Sequence, residues 1–573
     1  MAGYVVVMVD LLESSDTITS GPESGARSLT YAVHPFERER VWLSKREHIE
    51  LHAQVKSYKR LHARALERLR QLKENRRQLV AQHKAREAEL LAQLDQAKAE
   101  VRGLRQRHFG TRSERAQTRK PLWCPRTPEK GRRPRGQQPG APGHGRSRLT
   151  GLPTREQRVE SPRRCPRCGA SMTAIAGTRD REVLEIEVAA HRRVIKRQRY
   201  RTNCQCGCLP AVCAAPPPPQ LIPRGKFGIS VWVEVLLAKF LYAQPTHRLC
   251  RDWRDRGLPI AQGTLTEGLR RIQPLFTPLH AGLRQRLREA THWHADETDW
   301  RVFEECEGKQ GQRWYLWLFQ SGEVVDFQLD PTRSAQVPRA VLTTAAQGVL
   351  SVDRYAAYHK YVRENDKVRR ALCWAHQRRD FLAVAIQHPE LWAWTADWIT
   401  RIGVLYRHHA KRRAARPGTA RYRHREQTLH RHMERMRQRA EAERDDVSLH
   451  PAARRLQRLM LAHWAGLSVF LQYPEIDLDN NRAERALRPA VVGRKNYYGS
   501  ARQWSGTLAA DMLSVLATLE LWGINPRTWL TAYLQACAHA GGRLPPDHDT
   551  YLPWRMSDTQ RRRMRTPPLQ GVA

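Results

Sequence analysis

The 573-residue chain has room for several domains, because one domain usually takes roughly 100–200 residues. Its 99 lysines and arginines exceed its 57 aspartates and glutamates by 99 − 57 = 42, and the isoelectric point is near 10.7. This dominance of one sign indicates a polyanionic partner, nucleic acid, rather than a merely soluble surface. No apolar run approaches the roughly 20 residues that span a bilayer. We therefore expect no membrane partner. The apolar patch near the start lacks a basic leader before it and a small-residue cleavage site after it, so we expect a cytoplasmic protein.

The amino-terminal part predicts one long helix. Residues 1–43 form an extension for which we expect disorder, whereas 44–110 are rich in helix formers and lack proline. Apolar residues there approximate a heptad seam, which favours a self-associating coiled coil slightly over a solvated single helix or an intramolecular hairpin. The seam comprises Leu51, Val55, Tyr58, Ala65, Leu69, Leu72, Leu79, Leu90, Ala97 and Leu104.

A basic linker and a cysteine-rich module follow. Residues 111–162 are crowded with arginine, glycine and proline and cannot bury enough apolar surface to fold alone. Residues 163–215 contain the knuckle CPRCG and the later run CQCGC, and four thiolates from them would hold one structural Zn²⁺ ion. The candidate zinc ligands are Cys165, Cys168, Cys204, Cys206 and Cys208. The second half departs from a clean CxxC, so the fourth ligand stays open, with Cys213 a further outside candidate.

After the prolines at 216–219, residues 220–288 resume an apolar helical pattern. A helix, a turn near Gly257 and a second helix capped by Thr264 resemble a helix-turn-helix. A plain helical hairpin is about as common as a recognition unit, and the basic context tips our interpretation towards a DNA-binding domain.

The pattern then changes to short apolar or alternating segments that predict five strands. Helices between them indicate an α/β sheet. The predicted strands are 291–303, 313–319, 324–329, 349–353 and 368–374.

Three acids in this region invite a metal interpretation. Asp296 lies inside the first predicted strand, and Asp353, 353 − 296 = 57 residues later, ends the fourth. Glu484 lies on a predicted helix among arginines, after a long helical insert. A buried aspartate is costly unless it is paired or bound to a cation, so a structural salt bridge is the alternative. The order and the element types fit the acid triad of two-metal nucleases.

The motifs HADETDW, VDRYAAY, CWAHQRRDF and DLDNNRAERALRPAVVGRKNYYGS resemble the core of transposases of the insertion-sequence sixty-six family. The amino-terminal helix, the CPRCG knuckle and the helical segment resemble the family's other regions. The resemblance implies a DDE transposase of a bacterial insertion sequence with a ribonuclease-H-like catalytic domain over 289–505 and a helical insert over about 382–470. It implies catalysis by Asp296, Asp353 and Glu484, with two Mg²⁺ or Mn²⁺ ions.

The resemblance also implies supporting residues and partners. Cys373, His376 and Arg379 match a second family motif, whereas Arg354 stands where the family commonly has glycine. The basic residues after the glutamate, Arg488, Arg494 and Lys495, would clamp DNA near the metals, or form an ordinary solvated face. Expected partners are the transposon ends, target DNA, further copies of the chain and small accessory proteins, at the nucleoid.

The carboxy-terminal part predicts an apolar helical segment over 506–545 and a basic tail over 546–573, in which the RRRMR run predicts disorder. For the whole chain, two other functions compete with transposition. One is a catalytically silent DNA-binding regulator derived from a transposase, against which the intact acid triad argues. The other is a related nuclease acting on branched DNA or RNA, against which the knuckle and family motifs argue.

Overall fold

The computed structural model describes residues 45–109, 164, 166–171, 189–201, 212–214, 216–305, 311–344 and 346–566. The chain divides into two compact units, residues 1–97 and residues 98–573. The predicted extension 1–43 and linker 111–162 lie outside the described residues.

The long helix predicted for 44–110 is present as α1 (Lys45–Phe109). Its seam leucines are exposed to solvent in the single chain; Leu72 is 62 % exposed and Leu79 55 %. Exposed leucines at seam positions agree with a self-associating helix, and self-association stays a prediction.

Only part of the cysteine-rich module is described. Residues 166–168 form a turn flanked by an Arg164–Ser171 bridge, and exposed Cys168 lies in it. Strands β1 (Arg199–Arg201) and β2 (Val212–Ala214) pair antiparallel, with Tyr200 opposite Cys213. The other predicted zinc ligands, Cys165, Cys204, Cys206 and Cys208, lie outside the described residues.

A helical group precedes the sheet. Helix α2 (Ile229–Leu236) continues into a π-helical turn over Leu237–Leu241. The predicted helix, turn and helix are α3 (Thr246–Asp255) and α4 (Gln262–Ile272), joined through Gly257, which has a φ of +81° that favours glycine. The prediction that Thr264 caps the second helix is wrong, because α4 begins at Gln262 and its N-cap residue is Ala261. Helix α5 (Thr277–Arg288) leads into the sheet.

All five predicted strands form one mixed sheet. They are β3 (His292–Arg301), β4 (Arg313–Gln320), β5 (Val325–Asp330), β6 (Gly348–Val352) and β7 (Val368–Leu372). Their order across the sheet is β5-β4-β3-β6-β7. The β5-β4-β3 meander is antiparallel, whereas β3, β6 and β7 run parallel. The α/β prediction is confirmed.

Parallel strands need crossover connections, and helices provide them. Helix α6 (Gln336–Leu342) lies between β5 and β6, and α7 (Ala356–Arg363) lies between β6 and β7. Helix α13 (Asn481–Tyr497) packs on β3 and β4. The sheet core is rich in tryptophan, since Trp293, Trp300 and Trp317 are fully buried.

The edge strand β5 is covered by α14 (Gln503–Leu521). An uncovered edge exposes unpaired backbone groups. Thr518 accepts a hydrogen bond from the Val325 backbone N–H at 3.1 Å, and Ser514 accepts one from Phe327 at 2.8 Å. These hydroxyl groups explain why a largely apolar helix carries buried serine and threonine on this face.

The predicted insert is helical and has its own core. It comprises α8 (Trp374–Gln387), α9 (Trp392–Arg413), α10 (Ala420–Asp445), α11 (Pro451–Ala462) and α12 (Trp464–Leu467). Buried Phe381, Trp398 and Met433 belong to this second cluster, separate from the cluster that contains β3 and β4. The insert therefore packs as a helical subdomain beside β7.

The carboxy-terminal region departs from the prediction of a disordered RRRMR run. After α15 (Pro526–His539), the chain forms a short 3-10 turn over His548–Tyr551 and then α16 (Asp558–Arg563). Leu552 is buried beside Gly282, and Ile524 forms a bridge with Arg565. The run folds because the apolar residues just before it are buried. In the part of the chain that the structure describes, no helix is both long enough and apolar enough to span a membrane.

Candidate active site

The parallel pairing of β3 and β6 brings two of the predicted acids close together. In the parallel pair β3–β6, His294 lies opposite Ser351, so two residues further on Asp296 and Asp353 occupy equivalent positions. Asp296 is inside β3 and pairs with Leu318 on its other side, whereas Asp353 directly follows β6. The Asp353 carboxylate accepts a hydrogen bond from the Tyr355 N–H at 2.9 Å, which fixes the turn into α7.

The third acid comes from α13. Glu484 lies in its first turn, where a negative charge interacts favourably with the helix N-terminus. Burial, the largest cause, and repulsion from Glu297, Asp353 and Glu484 together raise the pKa of Asp296 to about 7, against a hydrogen bond from the Glu297 N–H that lowers it. The structure thus brings the three predicted acids into one electrostatic cluster.

An arginine from the insert neutralises part of this cluster. Arg379 of α8 donates two hydrogen bonds to the Glu484 carboxylate, at 2.9 and 3.1 Å. His376, one turn earlier, has its Nε2 3.8 Å from a Glu484 oxygen and 3.2 Å from an Arg379 nitrogen. Burial and the Arg379 charge lower the pKa of His376. Both residues therefore lie beside Glu484, the third predicted acid.

A buried asparagine joins the elements that carry the acids. Asn480, at the N-terminus of α13, donates to the Ala295 carbonyl at 2.7 Å and accepts from His294 Nδ1 at 3.0 Å. Its own backbone N–H donates to the Cys373 sulfur at 3.2 Å. Burial raises the pKa of Cys373 to about 11, so this thiol is a neutral packing and hydrogen-bonding group.

A fourth acid, Glu297, adjoins the cluster and was not predicted. Arg333 donates to one of its oxygens at 2.5 and 3.0 Å, and Tyr358 donates to the other at 2.5 Å. Burial raises the pKa of Glu297, and these two partners lower it. Glu297 is thus already engaged. The sequence signal for it was the adjacent acid pair in HADET, and the signal for Asn480 was its place before the helix in DLDNN.

The predicted basic residues divide into two groups. Arg488 and Lys495 are exposed, and they stand 4 and 11 residues after Glu484, which puts all three on one face of α13. Arg494 lies off that face; it donates to the Asp299 carbonyl at 2.9 Å and forms an ion pair with the Asp299 carboxylate. Arg494 thus ties α13 to β3, whereas Arg488 and Lys495 are free to meet a solvent-side partner.

The departure at Arg354 also has a structural partner. Its guanidinium forms an ion pair with Asp380 of α8, the residue after Arg379. Arg354 therefore links the turn that carries Asp353 to the helix that carries Arg379.

Comparison with known proteins identifies a family for the region that contains the three acids. Residues 224–508 match the family described as "Transposase IS66 family", an interval that contains all three acids. This region of the chain belongs to the IS66 transposase family. The match begins before α2 and ends within α14, so it includes the helical group, the sheet and the insert.

The curated relatives share much of the chain and carry no assigned function. The uncharacterized protein y4jD of Sinorhizobium fredii (strain NBRC 101917 / NGR234) is 26% identical over 411 residues, covering 68% of this chain and 78% of the relative. The uncharacterized protein y4hP of the same organism is 25% identical over 423 residues, covering 69% and 74%. No solved structure matches.

Proposed function

We propose that the chain is a DNA transposase that binds the terminal inverted repeats of its insertion sequence, cleaves DNA at the ends and transfers the strands into target DNA. The observation that carries the proposal is the convergence of Asp296, Asp353 and Glu484 from three separate elements. Family membership of 224–508 supports the same reaction class.

The donor set fits hard divalent cations. Carboxylate oxygens are the ligands that Mg²⁺ and Mn²⁺ prefer. The pKa of Asp296 is raised mainly by burial, and the neighbouring negative charges of Glu297, Asp353 and Glu484 add to the shift, as expected of a carboxylate cluster that lacks its cation. Asp296, Asp353 and Glu484 would hold two such ions, which when bound activate the attacking water or 3′ hydroxyl and stabilise the departing oxygen.

The remaining residues of the site have distinct roles in this proposal. Arg379 keeps Glu484 paired in the free protein and, once displaced, would donate to a phosphate oxygen. The exposed cations Arg488 and Lys495 would bind DNA backbone phosphates along α13. Asn480 is a positioning residue that fixes Glu484 relative to β3.

The other modules would supply binding and assembly. The sheet order and the placement of its acids support a ribonuclease-H-like core. Helices α3 and α4 would contact the transposon ends, and the cysteine-rich module would hold a structural Zn²⁺ ion. The exposed seam of α1 would pair with another copy of the chain. Small accessory proteins of the same element are further proposed partners.

The test is magnesium-dependent cleavage and strand transfer on DNA carrying the element's own ends. The native chain is compared with Glu484→Gln and with a matched control, Glu475→Gln, which changes an exposed acid just before α13. We expect products from the native chain and the control, and binding without products from Glu484→Gln. Binding without products from all three proteins would favour the silent regulator, and equal activity of all three would exclude Glu484 from catalysis.

A further inference from the structure

A second group of metal-type ligands lies away from the acid cluster. His388 and Glu390 follow the end of α8, and His450 precedes α11. One ligand atom from each residue lies within 4.8 Å of the others. His388 Nδ1 is 3.4 Å from a Glu390 oxygen, and His450 Nε2 is 3.8 Å from the same oxygen. The two imidazole rings are 4.6 Å apart between centroids.

The two spacings to the Glu390 oxygen are close to those of a tetrahedral zinc site, and the two histidine nitrogens lie within 4.8 Å of each other. Zinc binds histidine nitrogen and carboxylate oxygen at about 2.0–2.2 Å, which separates neighbouring ligand atoms by about 3.3–3.6 Å. The observed 3.4 Å already lies in that interval, and the 3.8 Å needs a shift of only a few tenths of an ångström. The Glu390 side chain is 57% exposed, which leaves a fourth position open to water.

The simplest competing explanation is an ion pair between protonated histidine and Glu390. The His388 side chain is only 12% exposed, and its ring lies 4.6 Å from the His450 ring between centroids, so protonating both imidazoles would place two positive charges side by side. A neutral imidazole offers a lone pair to a cation and gains little from an ion pair. Two imidazoles in contact with one carboxylate therefore fit a shared cation better than two competing salt bridges.

Two features oppose metal binding. His450 Nδ1 accepts the Ala452 backbone N–H at 3.2 Å and caps α11, so its Nε2 carries the proton in this geometry. Ligation through Nε2 would move that proton to Nδ1 and remove the cap, at a cost of about 1 kcal/mol. The charge of Arg102 also lies near His388. The free energy of binding a structural zinc ion is several times larger than the cost of the lost cap. The negative charge of Glu390 offsets one positive charge of the ion.

We propose that a Zn²⁺ ion bound by His388, Glu390 and His450 stabilises the insert. The ion would join the corner between α8 and α9 to the connection between α10 and α11, two points that are 62 residues apart in sequence (450 − 388). Closing this loop would restrain α8, the helix that presents Arg379 to Glu484. The inference does not depend on the proposed catalysis, since it concerns folding of the insert.

The test counts metal on the full chain, because the cysteine-rich module is expected to bind zinc as well. The informative variant is His450→Asn, since asparagine is a good helix N-cap but a poor zinc ligand. The matched control is His432→Asn, from a histidine pair of the same insert, His408 and His432, 5.4 Å apart between centroids. We expect His450→Asn to retain about one zinc ion fewer than the native chain and the control.

Cobalt substitution distinguishes the two sites. Cobalt bound to thiolates gives intense sulfur-to-metal charge-transfer absorption, which nitrogen and oxygen ligands do not. We expect His450→Asn and Glu390→Gln to keep that absorption while losing the weaker visible bands of a nitrogen and oxygen site. Zinc added to the metal-depleted native chain should raise its melting temperature by about 2–4 °C more than that of His450→Asn. Equal metal content and equal zinc response in the native chain and both variants would overturn the proposal.

Discussion

The guanidinium of Arg379 donates two hydrogen bonds, of 2.9 and 3.1 Å, to the carboxylate of Glu484. The pair joins the helical insert to the helix that carries the third acid. Because an ion-paired carboxylate is a poorer ligand, Arg379 would compete for Glu484 with the divalent cation of the proposed function.

Replacing Arg379 with glutamine should therefore separate metal binding from catalysis. We expect Arg379→Gln to bind Mn²⁺ about two- to fivefold more tightly, because a partly exposed ion pair contributes up to about 1 kcal/mol. Cleavage at saturating metal should nevertheless fall about tenfold or more, because in the proposed function the same guanidinium donates to a phosphate oxygen. Electron paramagnetic resonance of free Mn²⁺ measures the first quantity. Arg485→Gln, which removes an exposed charge beside Glu484, is the control, and unchanged Mn²⁺ affinity in Arg379→Gln would argue against competition.

Asp296 is expected to destabilise the metal-free fold. Its pKa is raised from 3.8 to about 7, mainly by burial, so the folded protein binds a proton more strongly than the unfolded chain. The destabilisation is fully present above pH 7 and disappears as the pH falls towards 4. In magnesium-free buffer at pH 8, Asp296→Asn should raise the free energy of unfolding by on the order of 1–3 kcal/mol. Urea unfolding followed by tryptophan fluorescence measures this, with exposed Asp366→Asn as the control; a less stable Asp296→Asn would contradict the burial argument.

The same carboxylate predicts how metal binding depends on pH. A cation held by Asp296, as proposed, would bind the deprotonated carboxylate, so protons would compete with it below pH 7. We expect the Mn²⁺ affinity of the native chain to fall by up to about tenfold per pH unit between pH 7 and pH 5 and to level off above pH 8. A titration series across this interval measures the dependence. An affinity that stays flat from pH 5 to pH 8 would show that Asp296 is not a ligand.

The strands and the acids could be predicted because local patterns encode them. Alternation of apolar residues predicted all five strands within a few residues, and Asp296 inside the first strand and Asp353 at the end of the fourth stand out against apolar neighbours. The roles of Arg494 and Asn480 could not be read this way. Their partners, Asp299 and Ala295, are 195 and 185 residues away in sequence, and only the packing of α13 on β3 brings them together.

The wrong prediction of disorder at the carboxy terminus likewise arises from contacts that the local sequence pattern does not show. The RRRMR run at 561–565 is basic and lacks an apolar pattern of its own, so composition alone suggested disorder. It is ordered because Leu552 and Met556, upstream of it, are buried, and because the Asn525 backbone N–H donates to the Met564 carbonyl at 2.6 Å. A segment that is ordered by contacts from neighbouring parts of the chain shows little sign of order in its own composition.

Asn480 should behave as a positioning residue rather than a binding residue. Asn480→Ala leaves the buried Ala295 carbonyl and His294 imidazole without their partners, at a cost of about 1–3 kcal/mol for each group. We expect Mn²⁺ affinity or cleavage to fall about 10- to 100-fold, while binding of the transposon ends is unchanged. Gel-shift titration and Mn²⁺ resonance give the two readouts. Asn481→Ala at the next position is the control, and a parallel loss of DNA binding in Asn480→Ala would indicate general misfolding instead.

A charged cluster at the edge of the sheet predicts a separate pH dependence of stability. His280 of α5 donates to Asp326 of β5 at 2.5 Å and to Asp511 of α14 at 2.7 Å. Burial opposes its charge, but both carboxylates favour the protonated form and raise the pKa of His280 to about 9. Arg284 donates two further hydrogen bonds to Asp326, at 2.8 and 2.9 Å. The cluster therefore links helix α5 to the edge strand β5 and to α14, the helix that covers this strand.

Because the folded pKa of His280 lies above the ordinary value of 6.5, its stabilising contribution is fully present below pH 6.5 and is lost as the pH rises through 9. His280→Gln keeps a polar side chain but leaves two buried carboxylates short of positive charge, so we expect a loss of about 3–5 kcal/mol in the free energy of unfolding at pH 6.5. The difference from the native chain should shrink by pH 9.5. Urea unfolding at both pH values measures it, with exposed His247→Gln on α3 as the control. A difference that stays constant across this interval would mean that His280 is neutral and that packing, rather than charge, holds these three elements together.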